Sequence, residues 1–331
     1  MSTSADGELA ADLAALRSGA ATAAGSGRTL LVASGADRVS FLQGMLSNDV
    51  ARLGPGEGCR ALLLDEQGHL VAEMGVLARE DAILLDVARD ATERVRSSLE
   101  RFVVADDVEI APTGRVAVFV RGPGAARVLA RASAVPGDDP LARVAPGGHL
   151  EIGAAGRSVI AVRDGDGGFL AWAADEAAAA ALQSALRDAG AREVSAAALE
   201  ADRVARGLPS EGVDLDDRTL APEVPALAGA ISYRKGCYLG QEVVERVAAR
   251  GKVNWLVTGL RAGAGSSLPS RGALVRLADR EVGRVSSAVR LPGEEGIAML
   301  ARIRREAAES GATLRVEAGA GEIEAVPVGR G

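Results

Sequence analysis

The chain has little cysteine, histidine or aromatic character: two Cys, two His, two Trp, two Tyr and four Phe in 331 residues. Two cysteines exclude a disulfide scaffold and fit a reducing compartment. Cys59, Cys237, His69 and His149 are the whole stock of Cys and His, with no C-x-x-C and no H-x-x-x-H. A structural zinc site or an ordinary iron–sulfur centre made of Cys and His alone is therefore excluded. No stretch nears the ~18 apolar residues of a membrane span. The start, "MSTSADGELAADLAAL", has neither the positive end nor the apolar block of a secretory signal. The formal charge is -7 and no long basic run offsets it. A sequence-independent grip on phosphates needs such a run, so direct nucleic-acid binding is not expected. The expectation is a soluble cytoplasmic protein without membrane contact.

What is present is apolar and small. Apolar residues make up 48% of the chain, enough for a sizeable core and two or three domains. Leu9, Leu13 and Leu16 fall on one helical face. "RTLLVAS" reads as a strand, "ADRVSFLQGMLSNDV" as a short helix, and "GCRALLLDEQGHLVAEMGVLAR" as a hairpin turning at Asp65–Gly68. Strand, helix, strand follows to Pro112. "RVAVFVRG" is a strand, and "PGAARVLARAS" a helix with Pro123 in its first turn. Three further strands lead to a helix closed by Gly190. This rhythm predicts an α+β build with largely antiparallel sheets rather than a doubly wound parallel one. From 208 to 227 the chain carries three prolines and the acids Asp214, Asp216 and Asp217, and reads as an irregular loop with its acids in solvent. After Gly251, short apolar runs broken by Gly, Pro and charges predict a small all-β barrel. The expected division is two α+β lobes over 1–247, roughly 1–112 and 113–247 with interleaving left open, and a barrel over 248–331.

One stretch concentrates the scarce residues. "SYRKGCYLGQEVVER", Ser232 to Arg246, holds Cys237 and both tyrosines. Gly236 and Gly240 permit close approach or positive φ. Val243, Val244 and Val247 at helical spacing start a helix near Leu239. Cys237 would then lie by a helix N-terminus beside Arg234 and Lys235, a setting that favours thiolate. Two readings stand together: a reactive or ligand thiol, or a small buried hydrophobe. Tyr233 and Tyr238 either stack on a ligand or bury their rings. Phe41 either walls a ring-shaped ligand or packs in the core. Asn48 and Asp49 either touch a ligand or turn the chain. "RGPGAAR" follows a strand but is neither G-x-G-x-x-G nor a Walker sequence, and reads as a turn into a helix. Arg246, Arg250 and Lys252 form a basic patch suited to an acidic surface or tail.

"KGCYLGQE" resembles the K-G-C-Y-x-G-Q-E signature of YgfZ-type folate-binding proteins, in the superfamily of the glycine-cleavage aminomethyltransferase. "FLQGMLSNDV", "LLLDEQGHLVAEMGV", "DRVARGLPSEGVDLDDRTLAPE" and "REVGRVSSAV" resemble further segments of those proteins, from about Phe41 to the C-terminus. The resemblance implies a three-lobed ring, two ferredoxin-like antiparallel α+β lobes and a C-terminal β-barrel around a central channel for tetrahydrofolate or a derivative. It also implies a part in making or maintaining iron–sulfur clusters in client enzymes, including radical tRNA-modifying enzymes. Cys237 and Lys235 would carry the chemistry, Cys237 as a thiolate or a transient iron ligand, with no resident metal. Phe41, Asn48, Asp49, Tyr233, Gly236, Tyr238, Gly240, Gln241 and Glu242 would line the folate site.

Two departures qualify the resemblance. Superfamily members often read R-[IL]-E-A-G before the acidic loop, with a Glu suited to the donors of a pterin. Here "RVARG" puts Ala205 there, and Glu73 and Asp202 are the candidate replacements. The aminomethyltransferases carry an acid pair in the early hairpin, where this chain has Ala72-Glu73. The missing acid of that pair and the gained Cys segment count against aminomethyl transfer and favour an accessory factor over a turnover enzyme. The alternative is a tetrahydrofolate-dependent aminomethyltransferase or demethylase-like enzyme.

Overall fold

The computed structural model describes residues 2–25, 27–133, 135, 139–154, 156–165, 167–250, 253–264 and 267–328. Helix α1 (Ser2–Ser18) and strand β1 (Ala21–Ala24) come first. Then come β2 (Arg28–Ser34), α2 (Arg38–Met45), β3 (Gly58–Leu64), β4 (Leu70–Ala78), β5 (Ile83–Ala88), α3 (Thr92–Glu100) and β6 (Glu109–Pro112). Next are β7 (Val116–Arg121), α4 (Ala125–Ala132), α5 (Asp139–Ala142), β8 (His149–Ala154), β9 (Arg157–Arg163), β10 (Phe169–Ala173), α6 (Glu176–Asp188), β11 (Arg192–Glu193) and α7 (Ala196–Ala205). An irregular segment with 3₁₀ turns at Ala221–Glu223 and Pro225–Ala230 leads to α8 (Gln241–Arg250). The chain ends with β12 (Trp255–Ala262), β13 (Leu274–Leu277), β14 (Arg280–Arg290), β15 (Ile297–Arg304), α9 (Arg305–Glu309), β16 (Leu314–Ala318) and β17 (Gly321–Pro327).

The strands make two open sheets and one closed barrel. The first sheet runs β3-β4-β5-β2-β6 and is antiparallel throughout. The second runs β11-β1-β7-β10-β9-β8, with a parallel pair at the β1–β11 edge and antiparallel pairs elsewhere among the described residues. Strand β1 thus leaves the first sheet's sequence neighbourhood to pair with β7. The barrel closes β12-β15-β14-β13-β16-β17, all antiparallel. The α+β architecture with a terminal β-barrel is the one the strand and helix periodicities predict.

Each layer closes on its own apolar face. Phe41, Leu42 and Met45 of α2 and Val95 and Leu99 of α3 pack on Leu31, Leu63, Met74, Val76 and Leu85 of the first sheet. Helices α4 and α6 cover one face of the second sheet through Val128, Leu129, Leu182 and Leu186. The other face of that sheet meets the first sheet, with Trp172, Ile160 and Leu170 against Leu30, Leu77 and Leu84. Helices α1 and α7 dock on the barrel through Leu13, Leu16, Ala201 and Val204 against Leu291 and Leu300. At roughly 25 cal/mol per Å² of apolar area removed from water, these seams supply most of the gross stabilisation of the assembly.

Local chemistry sets the turns. Asp65 Oδ1 accepts from the backbone N–H of Gln67 (2.9 Å) and His69 (2.8 Å), and Gly68 takes φ +78°, closing the β3–β4 hairpin as read. Asp175 caps α6 by accepting from Ala178 N–H at 2.7 Å. Two expectations need correcting. Pro123 precedes Gly124, the N-cap of α4, and so lies outside the first turn. Asp214 is not in solvent; its side chain is fully buried against Arg203, Ser286 and Ser287. A neighbouring guanidinium and two hydroxyls make that burial affordable, where the sequence shows only an acidic loop. Lys252 of the basic patch lies outside the described residues.

Candidate functional site

The loop Ser232–Gly240 lies along the end of α2 and is pinned at both sides. Ser232 N–H donates to Ser47 O (2.9 Å) and Leu239 N–H to Gly44 O (3.1 Å). Between them the Lys235 ammonium donates to the carbonyls of Gln43, Leu46 and Asn48. Gln43 O and Leu46 O belong to the helix end, where carbonyls lack intrahelical partners, while Asn48 O lies in the turn beyond and also accepts from Val50 N–H; the three-donor ammonium meets all three. Burial pushes the Lys235 ammonium down to about 8, against the pull of Asp49 and Cys59. Its charge therefore faces Cys59 and Asp49. That corrects the expectation that Lys235 would hold Cys237 ionised, since the amine is turned into the fold.

Tyr238 is buried, with the Lys235 ammonium 5.2 Å from its ring centroid. Its side chain packs with Leu62, Leu64, Leu227 and Val244, and burial raises its phenol to about 12. Tyr238 N–H donates to Gln241 Oε1 at 3.1 Å, so the first residue of α8 ties back to the loop. Gly240 takes φ +78°, and a Cβ there would stand 2.5 Å from Asp65 O. The signature thus seats on the β3–β4 hairpin. Gly236 differs: a Cβ would meet nothing within 4 Å, so neither close approach nor positive φ explains it.

Between these anchors Cys237 is exposed, as are Tyr233 (59%) and Glu242. The other thiol, Cys59 on β3, is half-buried and pushed up to about 11 by burial. Of the two sulfurs, Cys237 is the one solvent and partners can reach.

A second cluster lies on the sheet face opposite α2 and α3. Alternation along β3, β4 and β5 turns Arg60, Glu73 and Asp86 to that side. Arg60 Nε donates to Glu73 Oε1 at 2.7 Å, and Arg28 of β2 donates to Asp86 Oδ1 at 2.7 Å. Glu211 reaches in from the irregular segment and accepts from Glu73 N–H. Among the described residues its Oε2 has no hydrogen-bond partner, and Arg94 of α3 stands 3.5 Å away. Burial, reinforced by the Glu73 carboxylate, raises the Glu211 carboxyl, while the Glu73 N–H opposes it. Among the described residues no group of three or more His, Cys, Asp or Glu is placed to hold a metal ion.

The family profile "GCVT N-terminal domain" matches residues 3–235. The chain belongs to the GCVT family. An "Aminomethyltransferase" of Geobacillus kaustophilus (strain HTA426) is 28% identical over 299 residues, spanning 87% of this chain and 80% of that one. The "tRNA-modifying protein YgfZ" of Cronobacter sakazakii (strain ATCC BAA-894) is 26% identical over 310 residues, spanning 90% and 89%. The crystal structure of glycine cleavage system aminomethyltransferase T from Bartonella henselae shares the fold, with TM-score 0.85 at 20% identity over 97% of this chain and 88% of that one. Within the GCVT family this chain is of the YgfZ type.

The remaining candidates of this GCVT-family chain fall in different places. Phe41 is buried in the core under the first sheet. Asn48 Nδ2 donates to Arg60 O (2.7 Å) and its Oδ1 accepts from Asp49 N–H, while Asp49 Oδ1 accepts from Gln43 Nε2 (3.0 Å). Both residues thus link α2 to β3 beside Lys235. Glu73 joins the charged face. Asp202 is on α7, 3.6 Å from Arg206, and lines a separate cavity. Ala205 ends α7, with its carbonyl accepting from Arg261 at 2.6 Å. Sequence reasoning missed Glu211, Arg28 and Arg94. The only hint was an acid two residues beyond Pro209 in the loop that follows the Ala205 segment.

Proposed function

We propose that this chain is a folate-binding accessory factor that assists assembly or repair of iron–sulfur clusters in client enzymes, tRNA-modifying enzymes among them, in the cytoplasm. The observation that carries the reading is the presentation of Cys237. The loop around it is fastened through Lys235, Tyr238, Leu239 and Gln241, yet the thiol itself is exposed. A fold that needed only a small packing residue would not hold its neighbours in and its sulfur out. Relatives named as tRNA-modifying proteins, alignable over nine-tenths of the chain, support the direction.

The charged face suits a reduced folate. The amino group and ring N–H of a pterin need carboxylate acceptors, and among the described residues Glu211 Oε2 accepts no hydrogen bond, with only the Arg94 charge 3.5 Å away. Glu73 and Glu211 would hold those donors, and Arg60 and Arg94 the ligand's oxygens. This set does in place what the absent Glu at Ala205 would do. Tetrahydrofolate bound there would supply a one-carbon carrier. The iron and sulfide handled at Cys237 are cargo, and a thiolate at an exposed loop can ligate iron transiently.

The test replaces the chromosomal copy with Cys237→Ala or Cys59→Ala and assays a cluster-dependent radical tRNA-modifying enzyme. Loss of modification with Cys237→Ala alone is expected; equal phenotypes would remove Cys237 from its role. A second reading, a tetrahydrofolate-dependent aminomethyltransferase, is favoured by the 28% identical relative of that name. Against it stands Ala72, a fully buried methyl on β4 where the acid pair would need a carboxylate. Formation of methylene-tetrahydrofolate from an aminomethyl donor by the purified protein would decide for it.

A further inference from the structure

The charged face and the Cys237 loop are joined by one short stretch of chain. The 3₁₀ turn Pro225–Ala230 begins beside the face and runs into Ser232, where the loop starts. At its near end Ala226 O accepts from Arg60 Nη1 at 3.3 Å. The same guanidinium donates through Nε (2.7 Å) and Nη2 to Glu73 Oε1. At its far end Gly229 O accepts from Asn48 Nδ2 (3.3 Å) and Ala230 O from Ser47 Oγ (2.6 Å). Ser47 O then accepts from Ser232 N–H (2.9 Å), and Asn48 O from Lys235 (3.0 Å). Asn48 Nδ2 also donates to Arg60 O at 2.7 Å, so residues 47 and 48 touch β3, the turn and the loop together.

These anchors differ in what it takes to move them. Ser47 is fully buried, and its hydroxyl also accepts from Leu62 N–H at 2.8 Å. The Arg60 side chain is 46% exposed, so it can change rotamer without opening the core. Its bond to Ala226 O and that of Asn48 to Gly229 O are longer than the ~2.9 Å of a typical N–H···O bond. So is the 3.4 Å bond from Ile231 N–H to Ala228 O at the end of the turn. A 3₁₀ turn has poor hydrogen-bond geometry to begin with. The guanidinium is planar, with its donors in a fixed fork. Turned edge-on to the oxygens of a bound ligand, it loses its line to Ala226 O. Arg60 thus has two arrangements, one that holds the turn and one that holds a ligand.

We propose that Arg60 couples the charged face to the Cys237 loop: a reduced folate on the face draws the guanidinium off Ala226, and the turn and the upstream half of the loop loosen. This rests on the folate reading given above and adds the regulation of that site. The ligand shifts the loop because it contacts Arg60 in one arrangement and not in the other. Loosening starts at Ala226, passes to Gly229, and reaches Ser232 and, through the Asn48 carbonyl, Lys235. Leu239 N–H on Gly44 O and the start of α8 stay fixed, so Cys237 swings about its downstream side. An exposed sulfur thereby gains reach toward a client when the folate is in place.

The probe is 5-formyltetrahydrofolate, a reduced folate that survives in air. Calorimetry on the full chain measures its binding, and hydrogen–deuterium exchange read by mass spectrometry follows the loop. The amides of Leu227, Ile231 and Ser232 are hydrogen-bonded and report opening of the turn. At saturating ligand, exchange across 226–236 is expected to rise at least threefold, while β3 and β4 become more protected. A ligand that only stabilised the fold would slow both. Arg60→Ala sits at an exposed position. Without ligand its turn should already exchange at the ligand-bound rate, and saturating ligand should add nothing. Arg60→Lys keeps a cation for Glu73 but lacks the forked donor for Ala226 O, and should show the same fast turn. Saturable heat with the turn unchanged or slowed would overturn the coupling and leave the folate reading standing. A turn as slow in both Arg60 variants as in the wild type would overturn the coupling with no ligand involved. Absence of saturable heat would overturn the folate reading and this proposal with it.

Discussion

At the scale of single residues, the two cysteines are opposites by placement. Cys237 is exposed on the signature loop, and Cys59 is half-buried on β3 with its thiol pushed up to about 11. Only thiolate attacks a disulfide reagent. At pH 8 the ionised fraction of Cys59 is on the order of one in a thousand. The native protein should therefore release one equivalent of thionitrobenzoate quickly at pH 8. The second should appear only on unfolding, or as the pH is raised toward 11. Cys237→Ser should abolish the fast equivalent and Cys59→Ser should leave it. Two fast thiols in the wild type would contradict the placement. Lys235 is equally telling, as one of only two lysines in a chain whose other cations are arginines. An ammonium fits three carbonyls around a point, which a planar guanidinium does not.

At the scale of elements, the signature seats by a backbone approach. Gly240 and Gly68 both take φ +78°, and each would collide with the other's element if given a Cβ. Gly240→Ala should lower the unfolding free energy by roughly 2 kcal/mol from left-handed backbone strain and displacement of the hairpin. Gly236→Ala should change it by less than about 0.5 kcal/mol, the ordinary range for a surface site. Urea unfolding of the two variants checks the pair; equal losses would mean the loop does not seat this way. The same comparison shows what a sequence can carry. Strands, hairpin turns and the barrel were legible because periods of 2 and 3.6 and turn residues are local signals. "KGCYLGQE" was legible as a unit, but Lys235's partners lie 187 to 192 residues away, so its turn into the fold was not. The charged face depends on strand register joining Arg60, Glu73 and Asp86, and on a contact between Glu73 and Glu211 across 138 residues. No local pattern marks such a set.

At the scale of the whole molecule, the barrel is joined to the α+β part by more than apolar seams. Arg302 of β15 donates to the buried Glu223 at 2.8 Å. The centre of the junction is Asp214. Its Oδ2 accepts from Arg203 of α7 (2.6 Å) and from Ser210 N–H (2.9 Å), and its Oδ1 from the hydroxyls of Ser286 (2.5 Å) and Ser287 (2.7 Å) on β14. One carboxylate thereby ties a helix, the irregular segment that presents Glu211, and a barrel strand. A buried charge with all its partners adds little net stability over an apolar packing, but removing its charge leaves the partners stranded. Asp214→Asn keeps the shape and removes the charge, so Arg203 is left facing an amide in a buried setting. The expected loss is about 3 to 5 kcal/mol. Arg203 also pairs with Glu200, whose side chain is 47% exposed; Glu200→Ala removes that screened contact and should cost under about 1 kcal/mol. Chemical denaturation of both variants separates the two contributions on one guanidinium. Because Ser210 precedes Glu211, the Asp214→Asn protein should also lose the register of the charged face along with its hold on the barrel. A cost no greater than that of Glu200→Ala would mean that the apolar contacts of α1 and α7 alone hold the barrel to the rest of the chain.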